Sequence, residues 1–441
     1  MTAGGAETTA WAYRFPLAPN RKQAAMFASH AGAARYAYNW GITQISEALD
    51  AYAAEKAAGV DKPKTKIPGH FDLCKMWTAH KNSTQGMEWV GDNFVGTYQA
   101  ALRDAATAWK RFLDARKGGG RNVGRPRYKK RGRARESFQM HGSTLAMPDS
   151  AHIKLPKIGV VKINGRGYRG PTDPTDPRAR AGRVARRLYR ALATGQARMV
   201  RVTIAREGDG QWWASVTTER TTTRPDRPTR RQRKGGTIGI DVGVRSLLVT
   251  SRGDVVPNPA VLERLLQQLR AASRALSRTQ PGSRRREKAR KQLAALHSQI
   301  AMRRKDYAHR VTTELVRGHA GIMVEGWDVQ KTAQNGSRDL PRAVRRLRNR
   351  RLADAAIGDV RWQLEYKADA YGAAFQRLPA DSPTGRTCSS CGAVRDEPVP
   401  LTVEEFTCPR CGLRIDRRVN AARAALRCAI KDSESPTGGS D

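Results

Sequence analysis

The chain has 441 residues, and 81 Lys and Arg against 40 Asp and Glu give it a formal charge of +41. A field of that sign disfavours cationic partners and attracts polyanions, so the composition predicts nucleic-acid binding with steep salt dependence. No apolar run approaches the roughly 20 residues of a membrane span, and the start of the sequence lacks a signal-peptide pattern.

In chain order, Trp11–Leu17 alternates as a strand does, and Pro19-Asn20 then opens a helix. From Arg21 to about Lys56, Phe27, Ala31, Ala34, Tyr38, Ile42, Ile45 and Leu49 recur at steps of three and four. Residues 58–70 read as a loop, and helical periodicity returns over Phe71–His80 and Met87–Arg116, which predicts a small helical bundle. Lys117–Arg135 is a run of Gly, Arg and Lys with too little apolar content to fold alone. It reads either as a solvated loop or as a segment ordered against a phosphate backbone. Arg125, Arg127, Lys129, Lys130 and Arg131 are its candidate nucleic-acid contacts, joined further on by Arg284, Arg285 and Arg286. Dense charge with few aromatics suits phosphates, not bases.

From Ser137 to Glu219 the pattern is β, with strands at His152–Pro156, Val160–Ile163, Met199–Ala205 and Trp212–Thr218 and a hairpin signal at Gly208-Asp209-Gly210. Residues 167–187, rich in Pro, Gly and Arg, read as a loop. With Trp11–Leu17 these strands predict an antiparallel β-barrel interrupted by a helical insertion. Arg220–Gly236 reads as a basic linker. Beyond it come strand Thr237–Asp241, its hairpin partner Ser246–Ser251, and two Arg-rich helices separated by Pro281-Gly282. A strand ending at Glu325, helix Leu352–Tyr371, strand Ala374–Leu378, a cysteine ribbon and helix Val419–Ile430 complete the order of an RNase H-like layered domain. The polar tail Ser433–Asp441 is expected to be disordered.

Four of the six cysteines stand as Cys388-x-x-Cys391 and Cys408-x-x-Cys411, the spacing of a four-thiolate Zn²⁺ site without an open coordination position. A redox dithiol pair is the other reading. Such cysteine usage predicts a reducing, intracellular setting and no disulfide framework. Asp241 ends an apolar strand between Gly239 and Gly243, and Glu325 ends Ile322-Met323-Val324. A carboxylate at the tip of a buried strand needs a cation or a hydrogen-bond partner. That partner is either divalent metal, as in two-metal phosphodiester cleavage, or one of the many arginines. Asp416, between the ribbon and Asn420-Ala421-Ala422, is the third candidate acid.

Gly-Ile-Asp241-Val-Gly-Val-Arg, Val-Glu325, Cys-Ser-Ser-Cys-Gly, Cys-Pro-Arg-Cys-Gly and Asp416-Arg-Arg-Val-Asn-Ala-Ala resemble the motifs of the transposon-encoded TnpB nucleases and the compact type V CRISPR effectors. Leu364–Ala368, Ala33–Trp40 and Gly124–Lys130 resemble further segments of that family. The resemblance implies a two-lobed, α+β multidomain, RNA-guided DNA endonuclease of prokaryotic cytoplasm. Its partners would be a guide RNA and target DNA, with no small-molecule substrate; its cofactors would be Mg²⁺ or Mn²⁺ at Asp241, Glu325 and Asp416, and Zn²⁺ at the four cysteines. The implied domains are 1–20, the first strand of a wedge-type barrel; 21–118, a helical recognition domain; 119–230, the rest of the barrel; 231–383, a RuvC-like domain; 384–415, the ribbon; 416–430, the last RuvC segment; and 431–441, a tail. The chain departs from the family in one respect. The third acidic ligand usually stands two residues before the Asn of Asn-Ala-Ala, where this chain has Arg418. Guide-directed DNA binding without cleavage is therefore the alternative.

Overall fold

The computed structural model describes residues 7–117, 123–164, 177–222, 225, 227–326, 341–379, 382–397, 399 and 403–434. They divide into two compact units, one over residues 8–222 and one over 223–441 together with the first seven residues.

In the unit of residues 8–222, strand β1 (Glu7–Ala18) precedes helix α1 (Arg21–Ala57). Asn20 and Gln23 form a reciprocal capping box that starts α1, and each side chain satisfies an otherwise orphan backbone donor. Helices α2 (His70–Ser83) and α3 (Val95–Arg116) follow, separated by a 3₁₀ turn at Glu88–Asp92. Gly41 lets α1 approach α3 closely, since a Cβ there would lie 3.1 Å from that of Ala105. Strands β2 (Ser137–His141), β3 (Ala146–Asp149), β4 (His152–Leu155) and β5 (Gly159–Ile163), helix α4 (Pro177–Ala193), and strands β6 (Ala197–Arg206) and β7 (Trp212–Thr222) complete the unit. The seven strands form one sheet in the order β2-β6-β7-β1-β5-β4-β3. Helices α1–α3 are thus inserted between β1 and β2, as expected. The edge strands β2 and β3 are not paired with each other among the described residues, so no closed barrel is formed there. One core joins helices and sheet, with Phe27 of α1 packed on Phe138 and Trp212 at centroid distances of 5.8 and 5.2 Å.

The predicted loop over 167–187 is corrected by α4. Its Val184, Ala185, Leu188 and Leu192 face the core, and arginines fill the outer stripe. Arginine has high helix propensity, so the segment becomes a helix once the sheet covers its apolar stripe. Residues 167–176 of that segment lie outside the described residues.

The second unit begins with α5 (Arg230–Gly235), a short helix within the segment read as a linker. Buried Gln232 both caps it and donates to the carbonyls of Val316 and Tyr371. Then come β8 (Thr237–Val242), β9 (Ser246–Thr250), β10 (Val255–Pro257), α6 (Val261–Ser277), α7 (Arg284–Gly318), β11 (Gly321–Val324), α8 (Arg342–Ala355), α9 (Ile357–Tyr371), β12 (Ala374–Arg377), β13 (Glu405–Thr407), β14 (Arg414–Asp416) and α10 (Arg417–Glu434). The five-stranded sheet runs β10-β9-β8-β11-β12, antiparallel on the β8-β9-β10 side and parallel over β8, β11 and β12. Central strands covered on both faces read as continuous apolar runs, as in Ile322-Met323-Val324.

The helix expected over Leu352–Tyr371 is two helices, broken where Ala356 takes a left-handed conformation (φ 47°). A non-Gly residue there costs about 1–2 kcal/mol. Tertiary bonds hold the break: buried Asp354 accepts from Leu262 N at 3.0 Å and from Arg304 Nε at 2.6 Å, fixing α8 to α6 and α7. Helix α10 runs on to Glu434, four residues past its expected end; residues 435–441 of the expected tail lie outside the described residues.

Candidate metal centre and nucleic-acid interface

Alternation along β8 sets the site. Ile238, Ile240 and Val242 point to the core built with α7, α8 and α9, so Gly239 and Asp241 point to the opposite face, where α10 lies. A Cβ on Gly239 would overlap the Ala422 carbonyl, so glycine permits that close approach. Two strand residues span about 6.6 Å and four helical residues about 6 Å. Pairing Ala422 with Gly239 therefore carries Arg418, one helical turn earlier, to Asp241. Arg418 Nε donates to Asp241 Oδ2 at 2.5 Å, and its terminal nitrogens donate to the Asp241 and Ser246 carbonyls at 3.3 Å. Gly243 makes room for the guanidinium, because a Cβ there would overlap it.

Glu325 extends β11 beside Asp241. Val324 pairs with Ile240 in parallel register, and Glu325 N donates to the Ile240 carbonyl at 3.3 Å. The Thr384 hydroxyl donates to Glu325 Oε1 at 2.7 Å. Burial, then the charge of Asp241 and a hydrogen bond with it, push the Glu325 carboxyl up to about 8; Thr384 and Arg418 oppose that shift. The guanidinium of Arg418 thus stands beside both carboxyl groups.

Asp416 stands apart from this pair. Its Oδ1 accepts from Arg418 N at 2.8 Å and Val419 N at 2.9 Å, so it caps the N-terminus of α10. Asp416 is the last residue of β14, and its carboxylate is turned back onto those two backbone donors while the side chain of Arg418 reaches Asp241. Of the three expected acids, the structure brings together Asp241 and Glu325 and puts the guanidinium of Arg418 with them. Thr384 was not foreseen, since its contact with Glu325 is tertiary. Arg418 facing Asp241 could have been found by matching the i, i+4 pair 418 and 422 to the i, i+2 pair 241 and 239.

The four expected cysteines converge. Their Sγ atoms lie within 4.8 Å of one another, with Cys388···Cys411 and Cys391···Cys408 at 3.6 Å. A tetrahedral Zn²⁺ with bonds of about 2.3 Å separates its sulfurs by about 3.8 Å, so the donors fit that ion. Among the described residues this is the only group of three or more Cys, His, Asp or Glu close enough to share a metal. Each knuckle closes in the same way: Gly392 N donates to the Cys388 carbonyl and Gly412 N to that of Cys408, both glycines at positive φ (76° and 71°). Asn420, fully buried, bonds the first knuckle through Thr387 O (2.8 Å) and Ser389 N (2.9 Å). One turn of α10 thus touches both Asp241 and the ribbon.

The expected basic contacts divide. Lys129 packs its Nζ 3.7 Å from the Tyr38 ring centroid, and its backbone is held by Asn39; burial lowers its pKa. Arg125 lies over Trp109 and donates to Ser46. Arg286 donates to the Leu276 and Thr279 carbonyls, which locks the turn between α6 and α7. These three brace the protein. Arg127, Lys130, Arg131, Arg284 and Arg285 are exposed.

Comparison with known proteins defines the class. Residues 215–352 match the family described as "Probable transposase" (OrfB of IS605), and residues 358–424 match the Cas12f1-like TNB domain. Residues 10–54 match a family described as a helix-turn-helix domain, although here they form β1 and most of one uninterrupted helix. A Mycobacterium tuberculosis (strain CDC 1551 / Oshkosh) protein named "Putative RNA-guided DNA endonuclease MT2953" is 32% identical over 424 residues, covering 93% of this chain and 85% of that protein. InsQ of Escherichia coli K12, with the same descriptive name, is 26% identical over 94% of this chain and 91% of its own length. The fold resembles Cas12f1 in its complex with sgRNA and target DNA, at TM-score 0.50 and 12% identity, over 92% of this chain and 83% of that one. The chain belongs to the TnpB family, which is related to the type V effectors. No described helix is long and apolar enough to cross a membrane.

Proposed function

We propose that this protein is an RNA-guided DNA endonuclease whose nuclease unit, residues 223–441, has the RuvC-like variant of the RNase H-like fold. The observation that carries the reading is the paired carboxylates at the ends of adjacent parallel strands. Asp241 and Glu325 lie side by side at β8 and β11, flanked by a four-cysteine ribbon, in a chain of charge +41. The names of the M. tuberculosis and E. coli relatives support it. Asp241 and Glu325 would hold Mg²⁺ or Mn²⁺, which when bound polarises the phosphate and activates water. Guide pairing would supply sequence specificity while basic surfaces grip backbone. The ribbon would hold structural Zn²⁺, and the seven-stranded sheet would correspond to the wedge-type barrel.

Arg418 favours a second reading, in which the protein occupies guide-matched DNA without cutting it. Its guanidinium already supplies Asp241 with positive charge at the position where the family resemblance implies a third acid. One experiment separates the two. The protein is purified with its co-expressed RNA and mixed with matched plasmid in Mg²⁺ or Mn²⁺. Cleavage that is lost in Asp241→Ala and Glu325→Ala while target binding persists supports the endonuclease. A parent that binds but never cuts, with cleavage gained by Arg418→Asp, supports occupancy alone. Absence of co-purifying RNA would overturn both.

A further inference from the structure

Helix α4 carries Arg183, Arg186, Arg187 and Arg190 at steps of three and four, a single stripe on the side away from buried Ala185 and Leu188. With Arg220 of β7 and the polar side chains of Thr194 and Gln196, the stripe lines a cavity of about 440 Å³. Among the described residues none of the five arginines forms an ion pair, whereas neighbouring Arg198 is paired with Glu219 at 2.6 Å. Five like charges around one hollow repel one another, and a bound anion would relieve that.

The hollow is also shaped. The Arg187 and Arg220 guanidinium carbons lie 5.6 and 5.7 Å from the ring centroid of Trp11, so one indole orients two arginines. Arg220 NH2 donates to Gln196 Oε1 at 3.2 Å, and its buried Nε has no hydrogen-bond acceptor among the described residues. A buried orphan donor in a hollow lined mainly by arginines leaves a place for an acceptor from outside. From Arg183 to Arg190 the stripe runs about 10.5 Å, the axial length of about three successive phosphates on one strand.

We infer that the hollow between α4 and β7 is a binding site for consecutive phosphodiesters of a nucleic-acid backbone. Its five guanidinium groups match the charge of phosphates, contacts that position a strand without reading its sequence. The inference rests on the nucleic-acid reading for its ligand alone and requires neither guide nor cleavage, so a protein that never cuts leaves it standing.

The test is fluorescence anisotropy of the full chain with a labelled RNA hairpin and, separately, a labelled DNA duplex, at KCl from about 50 to about 300 mM without added divalent cations. The triple variant Arg186→Gln/Arg187→Gln/Arg190→Gln should weaken binding about tenfold or more. It should also flatten the slope of log K against log salt by about 2 to 3, at roughly 0.7 per phosphate on a single strand and 0.9 on duplex DNA. Arg198→Gln, which removes one charge outside the hollow, should change affinity less than about twofold. An effect confined to one probe identifies the strand that sits there. The matching triple Lys variant should keep the slope. Equal flattening by Lys and Gln would show that packing is at stake and overturn the proposal, as would an unchanged slope on both probes. If the triple Gln variant fails to fold, exposed Arg183→Gln alone should lower the slope by about 0.7–0.9, and no change would overturn the proposal.

Discussion

Arg418 and Asp241, 177 residues apart in sequence, form an ion pair of 2.5 Å on the face of β8 that α10 covers. Both side chains are largely buried, and they lie beside the Glu325 carboxyl, which burial and the charge of Asp241 push up to about 8. Removing one member of a buried pair leaves the other uncompensated, at a cost of about 3–5 kcal/mol. Arg418→Met should therefore lower the stability of the nuclease unit by about that amount, and added Mn²⁺ should restore part of it through the freed carboxylates. Thermal melts with and without Mn²⁺ decide the matter; a loss that Mn²⁺ leaves untouched would mean that the carboxylates do not take up the ion.

Glu325 gives the stability a pH dependence. Its folded pKa of about 8 exceeds the roughly 4.3 of an unfolded glutamate. Between those values the folded state binds the extra proton, so the contribution of Glu325 to stability is fully present below about 4.3 and is lost as pH rises through about 8. Without added divalent cations, urea melts from about pH 5 to about pH 9 should show this fall, and Glu325→Gln should flatten it. The same slope in both proteins would sink the assignment.

Asp416→Ala removes the cap of α10, which costs about 0.5–2 kcal/mol. Well below the melting temperature, guide and target binding should be unchanged, and any cleavage by the parent should continue at the parental rate. Abolished cleavage in a fully folded variant would make Asp416 a ligand after all.

The ribbon should carry one Zn²⁺ per chain, seen by metal analysis. Cys388→Ser, at a fully buried ligand, should release the ion and destabilise the segment around α10, because structural zinc binding is folding energy. Loss of zinc with unchanged melting would show that the ion is dispensable.

Neutralising Arg127, Lys130 and Arg131 should flatten the salt dependence of RNA or DNA binding by about 0.7–0.9 for each phosphate no longer neutralised. Lys129→Gln should instead mainly lower stability, because that side chain packs on Tyr38. A change of target preference at unchanged affinity in the triple variant would indicate that these side chains touch bases.

Much of this was legible in the sequence because periodicity reports burial. The strand ends at Asp241 and Glu325, the inserted helices of the first unit and the two cysteine pairs all follow from local pattern. Helix α4 was hidden because its apolar stripe is narrow and lies between Pro-rich and Arg-rich neighbours. The break at Ala356 falls on an alanine, with Gly358 two residues further on as the one local signal, and the tertiary bonds of Asp354 hold it. The candidate site was half legible: its carboxylates belong to strands, whereas Thr384 and Arg418 arrive through tertiary packing.

The junction of Gly239 with Ala422 bears on synthesis at the ribosome. Strand β8 emerges with one face uncovered, and the helix that covers it is translated about 180 residues later. At about 5–20 residues per second, that face waits roughly 10–40 s for its partner. The unit of residues 8–222 has all of its strands and helices by then and can mature first. A chain released early, before α10, would offer nucleic acid its basic N-terminal half while its carboxylate pair still lacked a cover. Vectorial translation thereby delays the completed acidic site until almost the whole polypeptide exists.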